Sequence, residues 1–335
     1  MRINLTLLFL FLFTILLFYG KFILLPLSLA LFIFIVIKSL SNQLLFIFKK
    51  YLSINLHEIV AILFMFITIF TIFYFFWIIL KFNISQVVAN SVIYQKNLEI
   101  IIQMFLESPI GSFFPKKEFL NSLNLIAIFS KTLNNLSSFA GHFSFIIIFL
   151  VFFILEEKYF KKKINIIFEK KNIQIIKKIN SDVFYYFKLK TFTSFLTGLL
   201  TFVVLNFLNN DLAPTFGVLS FLLNFIPVIG SLLGVIIPSI FSLIQYLNIL
   251  EPTLTLILLL FTQIFIGNIL EPKLMGNTLN ISPIVMIIFL TIMGKIWGTA
   301  GMFLSVPILV VLTIILSRFN QTKKIAILLS DKGST

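Results

Sequence analysis

Few residues in this chain could do chemistry, and their types narrow what that chemistry is. Among 335 residues there are two histidines, no cysteine and twelve acidic side chains. His57-Glu58 opens like the zinc-protease HExxH, but position 61 is alanine and the second metal ligand is missing. With only His57 and His142 and no thiol, a His/Cys metal centre is excluded, and no metal or cofactor is expected. Neither a Gly-x-Ser-x-Gly nucleophile turn nor a GxxxxGK[ST] phosphate loop occurs, so the chain does not read as an enzyme. What remains is polar groups and backbone breakers set inside apolar sequence, a combination suited to passing a solute rather than transforming it.

Three clusters hold these groups. In the first, Asn224, Pro227, Gly230, Gly234 and Pro238 interrupt the apolar run 215–247. Proline removes a backbone donor and clashes with the preceding turn. In lipid such a break is tolerated only inside protein or along a water-filled cavity, and broken helices of this kind mark transporter binding sites. The alternative is a kinked helix packed through its GxxxG spacing on a neighbour. The second cluster is Asn268, Glu271, Pro272, Lys273 and Gly276. Pro272 biases Glu271 away from helix, so the helix from 252 is expected to end there. A carboxylate beside the free carbonyls of a helix C-terminus calls for a cation. That cation is either Lys273 or a transported Na⁺ or H⁺. In the third, Gly294, Lys295, Gly298, Gly301 and Pro307 split the run 281–316, and Lys295 is a full charge well inside an apolar span. It reads either as a functional intramembrane charge or as a snorkelling lysine at the break of a re-entrant hairpin.

The elements that must position these clusters are membrane helices. The chain is 59% hydrophobic and 11% charged, against about 45–50% and about 25% in soluble domains. Runs of the 17–25 residues or so that a bilayer needs fall at 3–19, 22–37, 59–80, 139–155, 191–208, 215–247, 252–270 and 281–316. The first two are short for a span and read as an uncleaved hairpin. The net charge of +14 raises nucleic acid as a partner, but its placement argues orientation instead. Ten lysines fall between 156 and 190, and short-loop lysines mark the cytoplasmic side. Lys38, Lys49, Lys50, Arg2, Arg318, Lys323 and Lys324 then also fall inside, and Asn209-Asn210-Asp211 outside. Nucleic acid is therefore not expected as a partner.

Within the basic segment Ile173, Ile176, Ile179, Val183 and Phe187 recur at helical spacing. They suggest an amphipathic helix on the anionic inner leaflet or against neighbouring subunits, unless the segment is only a solvated orientation signal. The 81–138 segment carries similar fragments separated by Pro109, Gly111 and Pro115. The organisation expected is helices 1–3 over 1–80, an extracytoplasmic amphipathic segment 81–138, helix 4 at 139–155, a basic cytoplasmic segment 156–190, a transport core 191–317 and a tail 318–335.

The three clusters resemble, in order and approximate spacing, the motifs of the autoinducer-2 exporter family, also called PerM-like permeases. The NxxPxxGxxxGxxxP run from Asn224 to Pro238, the NxxEPKxxG run from Asn268 to Gly276, and the run from Gly294 through Gly298 and Gly301 to Pro307 carry the likeness. The resemblance implies a bacterial inner-membrane, all-helical carrier of about eight spans. Its relatives are associated with export of a small signalling molecule, or with sodium or proton antiport.

The reading is an all-α polytopic membrane protein with broken or re-entrant helices in its C-terminal third and both termini cytoplasmic. It is expected to act as an oligomeric secondary transporter, bathed in membrane lipids and moving a small molecule or a monovalent cation. Asn224, Asn268 and Glu271 supply polar contacts, and the prolines and glycines shape the backbone around them. A passive channel, or a scaffold acting through the basic segment, is the alternative. If 215–247 and 281–316 each cross once, the Glu271 segment faces outward; if both fold back as hairpins, it faces the cytoplasm.

Overall fold

The computed structural model describes residue 12 and residues 14–107, 125–167, 170–275, 280–319, 321–331 and 333. Most of the 3–19 run, the Pro109–Pro115 turn region and Gly276 lie outside the described residues. Among the described residues every regular element is helical. They are α1 (Lys21–Tyr51), α2 (Glu58–Ala89), α3 (Ser91–Glu107), α4 (Leu125–Ile167), α5 (Lys170–Phe207), α6 (Ala213–Leu223), α7 (Ile229–Tyr246), α8 (Leu250–Gln263), a π-helical segment (Ile264–Leu270), α9 (Glu271–Met275), α10 (Pro283–Arg318) and α11 (Lys323–Leu329). Six helical stretches among the described residues are long and apolar enough to cross a membrane. The chain is an all-α polytopic membrane protein.

It divides into two compact units, one of residues 1–69, 141–190 and 274–335, the other of 70–140 and 191–273. In the first unit, Ala30 and Ile37 of α1, Ile62 of α2 and Ile146 and Leu150 of α4 form one buried cluster. The short 22–37 piece expected from hydropathy is instead a helix of 31 residues, about 46 Å at 1.5 Å per residue. Lys38 therefore sits within a helix rather than in a loop. Its ammonium is bonded to Glu58 at the start of α2 and lies 2.8 Å from Glu157 of α4. With its charge paired, and no proline or glycine between Leu27 and Tyr51, nothing stops the helix at Lys38.

α10 is not one straight rod. Gly298 has φ +67° and ψ −149°, a conformation that only glycine adopts readily. There the chain folds back. A Cβ on Gly301 would stand 2.1 Å from the Met293 carbonyl oxygen, and one on Gly294 would meet the Met302 side chain at 2.6 Å. A straight helix would hold such pairs about 12 Å apart. The break expected over 294–307 is thus confined to Gly298. Pro307 is buried inside the helix that follows, correcting its expected part in the break. A proline one turn or more beyond a reversal need only lose a single ladder bond, a loss that packed neighbours can absorb.

In the second unit, Tyr94, Leu205, Phe216, Val235, Phe241 and Leu259 lie in one core shared by α3, α5, α6, α7 and α8. α6, α7 and α8 run antiparallel in sequence. The Phe216 and Phe241 rings meet at 5.6 Å, and the Ser242 and Thr255 hydroxyls at 3.1 Å. α6 has only 11 residues, about 17 Å, well short of a hydrocarbon core of about 30 Å. The 215–247 run is therefore a helical hairpin and not a single rod.

The open end of the hairpin is stitched to the Asn209-Asn210-Asp211 loop. Asn210 donates to Ser242 at 3.0 Å, and the Asp211 amide donates to Gln245 at 3.0 Å. The Tyr94 hydroxyl donates to the Asp211 carboxylate. Burial first, then that bond and the carboxylate charge, hold the Tyr94 phenol well above the ordinary tyrosine range, so it remains a donor at neutral pH. α5 and α6 touch through two glycines. A Cβ on Gly198 would lie 2.6 Å from the Gly217 carbonyl oxygen, a backbone approach of the kind small residues permit between membrane helices.

Candidate functional site

The site is built at the tip of the α6–α7 hairpin. α6 ends at Leu223, and Phe225 and Ile226 donate their amides to Leu222 and Leu223 in a last tight turn. Pro227 then fixes its own φ, and Val228 takes φ +62° and ψ −60°. The Ile229 amide reaches back to the Pro227 carbonyl at 2.6 Å, which makes Val228 the centre of a γ-turn of the rare, strained hand. A β-branched residue at positive φ stores about 1–3 kcal/mol. Gly230 makes the reversal possible, because a Cβ there would sit 1.7 Å from the Leu223 carbonyl oxygen. The break predicted over 224–238 is thus real but short, spanning 224–228. Pro238 lies buried inside α7 and does not interrupt it, since the γ-turn has already reversed the chain.

Buried hydroxyls recur along α5, and one of them, that of Ser194, bonds the tip. Thr193, Ser194, Thr197 and Thr201 are buried, three of them at the i, i+4, i+8 spacing of one helix face. Buried Asn224 donates its Nδ2 to Ser194 Oγ at 3.0 Å. Thr193 donates its hydroxyl to Glu271 Oε2 at 3.4 Å, and Thr197 donates to the Thr193 carbonyl at 2.9 Å. Two residues predicted from separate motifs, Asn224 and Glu271, are thereby brought to consecutive positions of α5. In apolar surroundings such bonds are worth roughly 0.6–2 kcal/mol each.

Glu271 departs from its expected geometry. The helix does not end there: Glu271 has φ −60° and ψ −49°, and its amide donates to the Ile266 carbonyl, five residues back. The π-helical segment Ile264–Leu270 shifts the hydrogen-bond ladder by one residue ahead of Pro272. The proline is accommodated, and the helix resumes as α9. Such π segments recur at functional sites. Asn268 and Lys273 are exposed, whereas Asn224 is buried. Lys295, Gly298, Gly301 and Pro307 belong to the other unit. There Lys295 is exposed and the Trp297 indole donates to the Leu17 carbonyl at 2.9 Å.

The profile of the AI-2E family transporters matches residues 5–321, spanning the hairpin tip, the π-helical segment and the Gly298 fold-back. The chain belongs to the AI-2E transporter family. Among relatives of this AI-2E family chain is the AI-2 transport protein TqsA of Escherichia coli K12, 38% identical over 156 residues, 47% of this chain and 45% of that protein. A Borreliella burgdorferi protein provisionally named for transport is 34% identical over 209 residues, 60% of this chain and 57% of its own length. YhhT of E. coli K12, provisionally named a transport protein, is 30% identical over 212 residues, 63% of this chain and 60% of its length. The match spans about half to three-fifths of the length of these relatives.

The α5 stripe is the part of the candidate site that sequence reading missed. Hydroxyl residues change hydropathy little, so a window average passes over them. Their i, i+4, i+8 recurrence in an apolar helix was the available signal. Gly198 and Gly217 were likewise passed over, lying on different helices with nothing in either local sequence to pair them.

Proposed function

We propose that this chain is a permease of the bacterial inner membrane that exports a small solute, with the α6–α7 hairpin tip and the α5 hydroxyl stripe lining its path. The observation that carries the reading is the strained, glycine-dependent tip tied through Asn224 to Ser194. Backbone that departs from helix within apolar sequence needs protein or water around it. Pro227, Gly230, Gly234 and Pro238 shape this element. Asn268, Glu271, Pro272 and Lys273 belong to a second proposed element of the same unit. The name of TqsA makes autoinducer-2 the first solute to assay.

Glu271 is the proposed coupling group, binding H⁺ or Na⁺ in exchange for solute, because it is a half-buried carboxylate next to the stripe. In proteoliposomes, Glu271→Gln should remove at least ten-fold of the pH- or sodium-driven part of the flux while downhill solute exchange persists. Driven flux that survives unchanged excludes coupling at this carboxylate.

In the proposed topology the Glu271 segment and both termini lie in the cytoplasm, a reading supported by the positive-inside distribution of lysines and by the α6–α7 fold-back. In this cysteine-free sequence, Asn277→Cys should react with an impermeant maleimide only in inside-out vesicles. Reaction in right-side-out cells would reverse this topology.

A further inference from the structure

The amphipathic helix α3 is used by neither the hairpin tip nor the coupling carboxylate. It belongs to the same unit as the α6–α7 hairpin and packs on α7, at the end away from the tip. Ser91, Tyr94, Ile102 and Leu106 are buried, with Leu98 and Ile101 packed on the core, so that one helix face is covered. Val92, Ile93 and Met104 are exposed. Two side-chain bonds tie α3 to the open end of the hairpin. The Tyr94 hydroxyl donates to the Asp211 carboxylate, just ahead of α6. Asn97 Nδ2 donates to the Ile244 carbonyl, near the end of α7, at 2.9 Å. α3 is thus a strap across both limbs. Asp211 is exposed, so water can replace the phenol at its carboxylate. α3 is joined to α2 by a single non-helical residue, Asn90, a hinge whose carbonyl accepts from the Ile93 and Tyr94 amides. The open end also holds two buried polar atoms without a hydrogen-bond partner among the described residues. They are Thr215 Oγ1 in the first turn of α6 and Glu251 Oε2 in the first turn of α8. Buried polar groups are nearly always paired, and an unpaired one carries its full desolvation cost. Water entering this end would relieve both.

We propose that α3 is a latch: closed, it seals the open end of the α6–α7 hairpin, and its release about Asn90 admits water and solute to the α5 stripe. The proposal rests on the permease reading and adds the step that opens one end of the path. The Tyr94 ring meets Phe241 at 5.2 Å. Beside that contact Asn210, Ser242 and Thr255 are buried in one bonded chain. Opening an apolar seal would only expose it, whereas opening a polar one exchanges protein hydrogen bonds for water at small net change. A few exchangeable contacts and a short hinge are the parts that a gating motion needs. Each tie is a single hydrogen bond, so removing one shifts the open population several-fold and removing both at least ten-fold.

The test uses the full chain in nanodiscs, where both faces are accessible, with Thr255→Cys as a reporter in a sequence that has no other thiol. Thr255 is 0% exposed. Its reaction with a charged maleimide should be several-fold faster in Tyr94→Phe, which removes one oxygen and keeps the ring. Adding Asn97→Ala should make it at least ten-fold faster than in the parent. Ser41→Cys, equally buried but in the other unit, should react at one slow rate throughout. Downhill flux of autoinducer-2 in proteoliposomes should rise several-fold in the double variant. Labelling at Thr255 that neither substitution changes overturns the latch and makes α3 a fixed brace, while flux in the parent still upholds the permease. Faster labelling at both reporters is general loosening and overturns the latch too. Faster labelling at Thr255 alone, with the parent's flux present but not raised, overturns gating of the path by α3. Faster labelling at Thr255 alone, with no flux in any chain, keeps the latch and overturns the permease reading for this solute.

Discussion

Gly230→Ala is expected to destroy the hairpin tip, lowering stability by about 3 kcal/mol or more and transport at least ten-fold. Overpacking a well-packed site costs roughly 1–3 kcal/mol when neighbours can shift. Here the obstacle is the backbone itself. The added Cβ would lie 1.7 Å from the Leu223 carbonyl oxygen and 2.6 Å from its carbon, so the last turn of α6 or the γ-turn must open. Opening that turn would also pull Asn224 from Ser194 and bury an unpaired carboxamide, adding about 1–3 kcal/mol. Gly234→Ala, four residues on in the same GxxxG spacing, is the control for folding: its nearest neighbours lie at ordinary contact, 3.4 Å. Thermal melts of the two variants in one detergent should separate by several degrees. Equal melts would mean that the spacing serves helix packing alone and that no sharp reversal exists at the tip.

That contrast shows where the sequence was legible. Membrane class, helix order and the positions of two reversals follow from hydropathy and from glycine and proline, because these features act locally. What each proline does is not local. Pro227 reverses the chain, Pro238 and Pro307 ride inside helices, and Pro272 is absorbed by a π-helical turn. The outcome depends on how the preceding turn is already bent, which the residue alone does not encode. Hydropathy, which ends the apolar run at 37, leaves Lys38 outside the helix for a similar reason. A charge ends an apolar helix unless it finds partners, and its partners Glu58 and Glu157 lie 20 and 119 positions away in sequence. Asn224 and Glu271 were legible as polar groups in broken helices. That they meet neighbouring residues of α5 was not, since Thr193 and Ser194 look unremarkable in a window dominated by phenylalanine and leucine.

Gly298→Ala tests the other reversal by backbone conformation alone. No heavy atom lies within 4 Å of where its Cβ would stand, so crowding contributes nothing. The whole cost comes from φ +67° and ψ −149°, a region essentially reserved for glycine and worth about 1–3 kcal/mol against any other residue. Gly267→Ala is the matched comparison, also with open space around its Cβ but without a positive φ. That variant should be neutral or stabilising by up to about 1 kcal/mol, the usual gain from replacing a helical glycine. Gly298→Ala should therefore melt clearly below the parent and Gly267→Ala at or above it. Gly301→Ala should fall further still, because its Cβ would meet the Met293 carbonyl oxygen at 2.1 Å. If Gly298→Ala instead melted with Gly267→Ala, the chain would not fold back at Gly298, and α10 would cross as a single rod. The ranking of the three variants thus separates a reversal set by one glycine's conformation from a bend imposed by packing, in which Gly298 and Gly267 would be interchangeable.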